Sequence, residues 1–192
     1  MTASHPDRLP PLPLDQLDPL QRAAAHELIA GPRKGVKGPF IPLLRSPELL
    51  ARVQKVGEYL RFQSALSPRV SEFATLIVAR AWTQQFEWKV HVALALKAGT
   101  SEATIAALAE GRRPAGMSDE EACVHDFATE LLQHRGVCDA TYAAARERFG
   151  ERGVMNLTGL IGYFAMVSMV LNVARTPAEP GEGAAPLDAF PR

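Results

Sequence analysis

Residues 69–98 contain neither glycine nor proline, and a stretch that long without a breaker reads as helix. At about 100° per residue, Val70, Phe73, Ile77, Trp88 and Ala95 fall in one apolar sector, and Gln84, Glu87 and His91 land in the middle of it. Polar groups therefore stand where a core is expected. Burying a carboxylate or an imidazole without a partner is costly, so these groups must bond one another, meet another chain or face a cavity. Glu87 and His91 are four residues apart and can touch on one helix face. As a solvated pair they would contribute only about 0.2–0.5 kcal/mol. Turned into a cavity beside Trp88, they would make an acid/base site. Glu72 lies to one side of a continuous helix, and a break near residues 82–86 would fold it back toward the pair.

Helix punctuation recurs along the rest of the chain, and no run shows the strict alternation of a half-buried strand, so the fold class is all-α. Residues 15–30 form a helix closed by Gly31, and 31–42 is a Gly/Pro-rich loop. Ser46, Pro47 and Glu48 carry the start signal of a helix reaching Phe62. Pro68 opens the central segment and Gly99 ends it. Thr100 or Ser101 caps a short helix, Ser118 and Glu121 form a capping-box pattern for a helix to Arg135, and 139–149 is a helix stopped by Gly150. The last helix, 151–174, includes an uncharged run over 154–173 that would just span a bilayer. Asn156, Thr158, Ser168 and Asn172 are scattered through it, and Gly159 and Gly162 suit close helix contacts. It therefore reads as a buried central helix rather than a membrane span. The expected organisation is a loose arm over 1–13, one helical domain over 14–175 and a mobile tail over 176–192.

Lys plus Arg and Asp plus Glu both number 21, so no net charge favours nucleic acid or an acidic membrane surface, and a small-molecule partner is expected. Cys123 and Cys138 are too sparse for a disulfide scaffold and do not form a CxxC pair, which fits a cytoplasmic setting. His26, His125 and His134 stand alone on their helices, and no spaced set of ligands suggests a metal site. The loop over 33–45 either covers a pocket and holds an anionic substrate through Arg33, Lys34 or Lys37, or is a solvated basic loop.

The run 72–82 (EFATLIVARAW), then Phe86-Glu87-Trp88-Lys89-Val90-His91, then Ala98-Gly99-Thr100-Ser101, resembles the core motif of the carboxymuconolactone decarboxylase family, which includes the alkylhydroperoxidase D proteins. The flanking segments Gly38-Pro39-Phe40, 43–47 (LLRSP), 57–62 (GEYLRF), 150–154 (GERGV) and 160–163 (LIGY) are similar to the same family. In all, the resemblance covers about residues 8–178. It implies an alkylhydroperoxidase D-like helical bundle that assembles with itself, as a trimer or hexamer. In the peroxidase branch two cysteines of a CxxC precede the histidine, and an upstream glutamate relays protons. Glu72 and His91 match that glutamate and histidine, while Gln84 and Glu87 occupy the cysteine positions. A thiolate is the nucleophile that attacks a peroxide, and neither an amide nor a carboxylate replaces it.

The resemblance therefore leans to the decarboxylase branch, a lyase chemistry of aromatic-compound catabolism that needs no cofactor. It implies His91 as the acid/base, Glu87 as the group that orients and tunes it, and Glu72 as a second proton relay, with Gln84, Trp88 and Trp82 positioning the substrate. Many relatives carry a histidine where Ala81 stands. Two alternatives remain open: a peroxiredoxin-like antioxidant activity, and a non-catalytic oligomer that binds a small molecule.

Overall fold

The computed structural model describes residues 6–178 and 184–188. Among the described residues there are eight α-helices and no strand. After a short 3-10 turn at Leu14–Gln16 come α1 (Pro19–Ala30), α2 (Phe40–Leu43), α3 (Pro47–Phe62), α4 (Pro68–Ala81), α5 (Gln85–Lys97), α6 (Glu102–Ala109), α7 (Asp119–His134) and α8 (Asp139–Ala174).

The local signals explain most of these boundaries. Asp18 caps α1 with Pro19 at its first position, Ser67 caps α4 before Pro68, and Ser101 caps α6. The first helix thus begins four residues later than the expected 15, because Asp18 and Gln21 form a reciprocal capping box there. Ser46 occupies the N-cap position of α3, but its side chain makes no capping bond. The expected loop over 31–42 is irregular up to Pro39 and then winds into α2.

The expected single helix over 69–98 is two helices. α4 ends at Ala81, Trp82 closes it, Thr83 takes a left-handed φ of 46°, and α5 starts after Gln84. The expected stop at Gly150 holds, since that residue has φ 66° and ψ 172° and breaks α8 into two arms.

α4 is the hub. Every residue from Phe73 to Arg80 is buried, and α4 packs against α5, α7 and α8. The long apolar arm of α8 turns Val154, Leu157, Leu160, Phe164, Val167 and Leu171 into the core and leaves Met155, Met169 and Val173 exposed. By length and composition α8 is long and apolar enough to cross a membrane. Its polar residues have work inside the fold: Asn156 accepts the Ala65 N–H at 2.9 Å, and Asn172 ties α8 to the turn between α4 and α5. Parts of the two expected mobile ends, 1–5, 179–183 and 189–192, lie outside the described residues. What is described of them bonds to the body. The Arg8 N–H donates to the Ala174 carbonyl at 2.8 Å, and buried Leu187 exchanges two backbone bonds of 2.8 Å with the Gln85 amide.

Glu121 links α7 to the hub. One carboxylate oxygen accepts the Ser118 N–H at 2.9 Å and the other accepts Arg69 at 3.1 and 3.2 Å. Glu121→Ala is expected to lower stability by about 1–2 kcal/mol, mostly from the lost cap. Arg69 is 41% exposed, so water takes up much of its share. Urea unfolding of the two proteins measures the difference.

Candidate functional site

The turn between α4 and α5 builds the site. Gln84 is buried, and its side-chain oxygen accepts the N–H groups of Phe86 at 2.6 Å and Glu87 at 3.3 Å. Its amide donates to Asn172 Oδ1 at 3.1 Å, and Asn172 in turn donates to the Trp82 carbonyl at 3.1 Å. With the chain reversed in this way, α5 lies back along α4, and Glu72 meets His91 across nineteen residues of sequence.

His91 is bonded on both sides. Its Nδ1 lies 2.5 Å from Glu72 Oε2 and its Nε2 lies 3.3 Å from Glu87 Oε2. The imidazole is buried and Glu87 with it, while the Glu72 side chain keeps 16% of its surface exposed. Burial alone would push the imidazole pKa down. The hydrogen bonds to Glu72 and Glu87, and the charges of the two carboxylates, outweigh burial and hold it above the ordinary 6.5. The site therefore favours the protonated form of His91 more than water does, with an acid on each side of the ring. The edge of Phe164 packs on its ring at a centroid distance of 4.9 Å.

Glu87 and His91 form part of the wall of a cavity of about 360 Å³. Tyr163 and Phe164 of α8 and Phe86 and Val90 of α5 continue that wall, and Arg61 and Phe62 come from the end of α3. The loop before α2 closes the other side with Arg33, Gly35, Lys37 and Pro39, joined by Phe40 at the start of α2. Gly38 fixes this loop: it has a φ of 55°, and a side chain there would run into the Phe86 ring. Of the two readings open for the basic loop, covering the pocket is the one found.

The predicted residues divide. Glu72, Glu87 and His91 come together, with Glu72 behind the imidazole and Glu87 at the cavity. Gln84, Trp82 and Trp88 are not brought to the cavity, contrary to the expected substrate-positioning role. Gln84 has its oxygen and its amide committed to the turn. Trp82 is half-buried against the core and contributes its carbonyl to Asn172. Trp88 follows Glu87 by one residue, about 100° around the helix, and is buried beside a different hollow with Arg80, Val92 and Ile105. Ala81 is exposed beside a third hollow with Ile77, Arg113 and His125, so the side chain it lacks leaves the His91 cavity of its own chain unchanged. Neither cysteine lines that cavity. Burial raises the pKa of the Cys123 thiol, and Cys138 is exposed at the start of α8.

Arg61, Tyr163 and Phe164 are cavity residues that the sequence reading did not single out. Arg61 and Tyr163 lie in the segments 57–62 and 160–163, which carried only family resemblance. Nothing local shows that two segments about a hundred residues apart share a wall.

An all-helical bundle with a buried carboxylate–imidazole–carboxylate cluster beside a covered cavity is the class of protein that fold and site define. Residues 47–130 match the model of the carboxymuconolactone decarboxylase family, and this match supports the resemblance seen in the sequence. No curated protein matches the chain. The matched segment spans α3 to most of α7 and contains Glu72, Glu87 and His91. The basic loop and α8, which supply the rest of the cavity wall, lie outside it.

Proposed function

We propose that the protein catalyses a cofactor-independent proton transfer on a small organic acid or lactone, and that decarboxylation of a lactone acid is the reaction its site suits best. The observation that carries this reading is the imidazole of His91, held by a carboxylate at each ring nitrogen at the wall of a cavity of about 360 Å³. The volume falls at the small end of the roughly 300–1,000 Å³ typical of small-molecule sites.

In such a reaction the bond between the ring carbon and the carboxylate breaks. Carbon dioxide leaves, and the electron pair passes into the conjugated lactone as an enolate. The enolate carbon then takes a proton, and the enzyme recovers one from water. His91 is suited to be the donor. Its Nδ1–H is committed to Glu72 by the shorter contact, whereas the Nε2–H, at the longer contact, can be shared between Glu87 and a molecule in the cavity. Glu87 orients the ring, and Glu72 keeps it charged and can return the proton. The family match over residues 47–130 supports the reading at the level of the scaffold, since function is decided in the site.

The test is carbon dioxide release from a panel of lactone acids, run in D₂O. The product is expected to carry one deuterium on the enolate carbon, and the double variant Cys123→Ser/Cys138→Ser is expected to keep the full rate. Tight binding without release would instead favour a non-catalytic binding protein. Hydroperoxide reduction that disappears in the serine variant would favour thiol chemistry.

A further inference from the structure

We infer that Arg33 and Arg61, with the hydroxyl of Tyr163, form a docking subsite for a substrate carboxylate in the wall of the His91 cavity. This subsite deepens the proposed function and rests on it for the identity of the cavity as a reaction site. Two guanidinium groups repel each other, and a fold that brings them to one cavity normally supplies carboxylates between them. Here, among the described residues, neither arginine makes an ion pair. Glu58, the acid whose charge reaches Arg33, is instead in contact with Lys55 at 3.9 Å.

Both arginines also have a buried Nε with no hydrogen-bond partner. A buried N–H left unbonded is unfavourable and uncommon, and two on one cavity wall show that the protein itself supplies these N–H groups with no acceptor. Arg33 is held in place from other directions: its Cζ lies 4.4 Å from the centre of the Phe40 ring, and its Nη2 donates to the Tyr163 hydroxyl at 3.3 Å. Tyr163 accepts that bond, so its own O–H remains available as a donor. Burial raises its pKa, which keeps that proton in place at neutral pH. Lys37 adds a further positive charge to the same wall. The guanidinium fork matches a carboxylate through paired bonds, and the tyrosine hydroxyl adds a third donor. The ligand class is therefore a small carboxylate anion, here the acid group of the molecule on which His91 acts.

The experiment is an NMR and calorimetric titration of the full chain with paraconate, a γ-lactone carboxylate, and with its uncharged primary amide. Paraconate is expected to shift the Nε–H signals of Arg33 and Arg61 saturably. Arg33→Met and Arg61→Met are each expected to weaken paraconate binding by at least about tenfold while changing amide binding by less than about twofold. Arg61→Lys is expected to restore part of the affinity, because it keeps the charge and loses the fork. Circular dichroism checks that the variants fold. Equal affinity for acid and amide, arginine variants that bind paraconate as well as the parent, or no saturable shift at either arginine would each overturn the subsite. Arginine-dependent binding without carbon dioxide release would support the subsite and count against the reaction alone.

Discussion

Replacing His91 by alanine is expected to abolish turnover and to cost roughly 3–5 kcal/mol of folding stability at neutral pH, the range for removing one partner from a buried charged cluster. In its protonated form His91 compensates two carboxylates, one of them buried. Without it Glu72 and Glu87 face each other across a hole and must either take up protons or draw in water. Most of the expected loss comes from those orphaned acids, and only the smaller part from the missing ring volume.

The pH dependence separates the two contributions. The folded-state pKa of His91 is raised above 6.5, so its charge stabilises the fold fully below the unfolded value, and that stabilisation is lost as the pH rises through the folded value. In the window below the folded value the gap between parent and His91→Ala should therefore stay wide, and it should narrow as the pH rises through that value. His91→Gln can donate to one carboxylate, so it should recover part of the stability and none of the turnover. Urea unfolding at several pH values, alongside the carbon dioxide assay, measures both. A His91→Ala protein as stable as its parent across that window would show that the cluster is not held together as charge.

The elements legible in the sequence were those set by neighbours in the chain. The cap at Ser118 and Glu121, the proline opening of α4 and the stop at Gly150 each depend on one turn of backbone, and each is found. The break at Trp82–Gln84 was legible only as an option. It contains no glycine or proline, and what holds Thr83 in its left-handed conformation is remote: Gln84 bonds to Asn172, eighty-eight residues away. The same remoteness decided the site. Glu87 and His91 are one helical turn apart and could be paired on spacing alone. Glu72 needed the break, and Arg61 and Tyr163 needed α3 and α8 to be packed side by side. Trp88 shows the opposite failure. Its place beside Glu87 in the sequence suggested a shared cavity, and the helical rotation of one residue put it in another hollow.

Gly57→Ala is expected to destabilise the protein by about 1–2 kcal/mol and to remove carboxylate binding, although the same exchange in a free helix is stabilising. Glycine in a helix interior is about 1 kcal/mol worse than alanine, so Gly57, in the middle of α3, is a local liability. Its use lies across the interface. A methyl group there would run into the hydroxyl end of Tyr163 and would lie 2.6 Å from Nη2 of Arg33. Tyr163 is buried and Arg33 is stacked on Phe40, so neither can move without disturbing the cavity wall. Overpacking of this kind costs about 1–3 kcal/mol and exceeds the propensity gain. Gly162 is the control, because it lies in α8 and a methyl group there meets nothing within 4 Å. Gly162→Ala is therefore expected to stabilise by up to about 1 kcal/mol. The two unfolding midpoints should move in opposite directions, with paraconate affinity falling only for Gly57→Ala. Midpoints that rise together would mean that the room beside Tyr163 is not needed to seat the arginine.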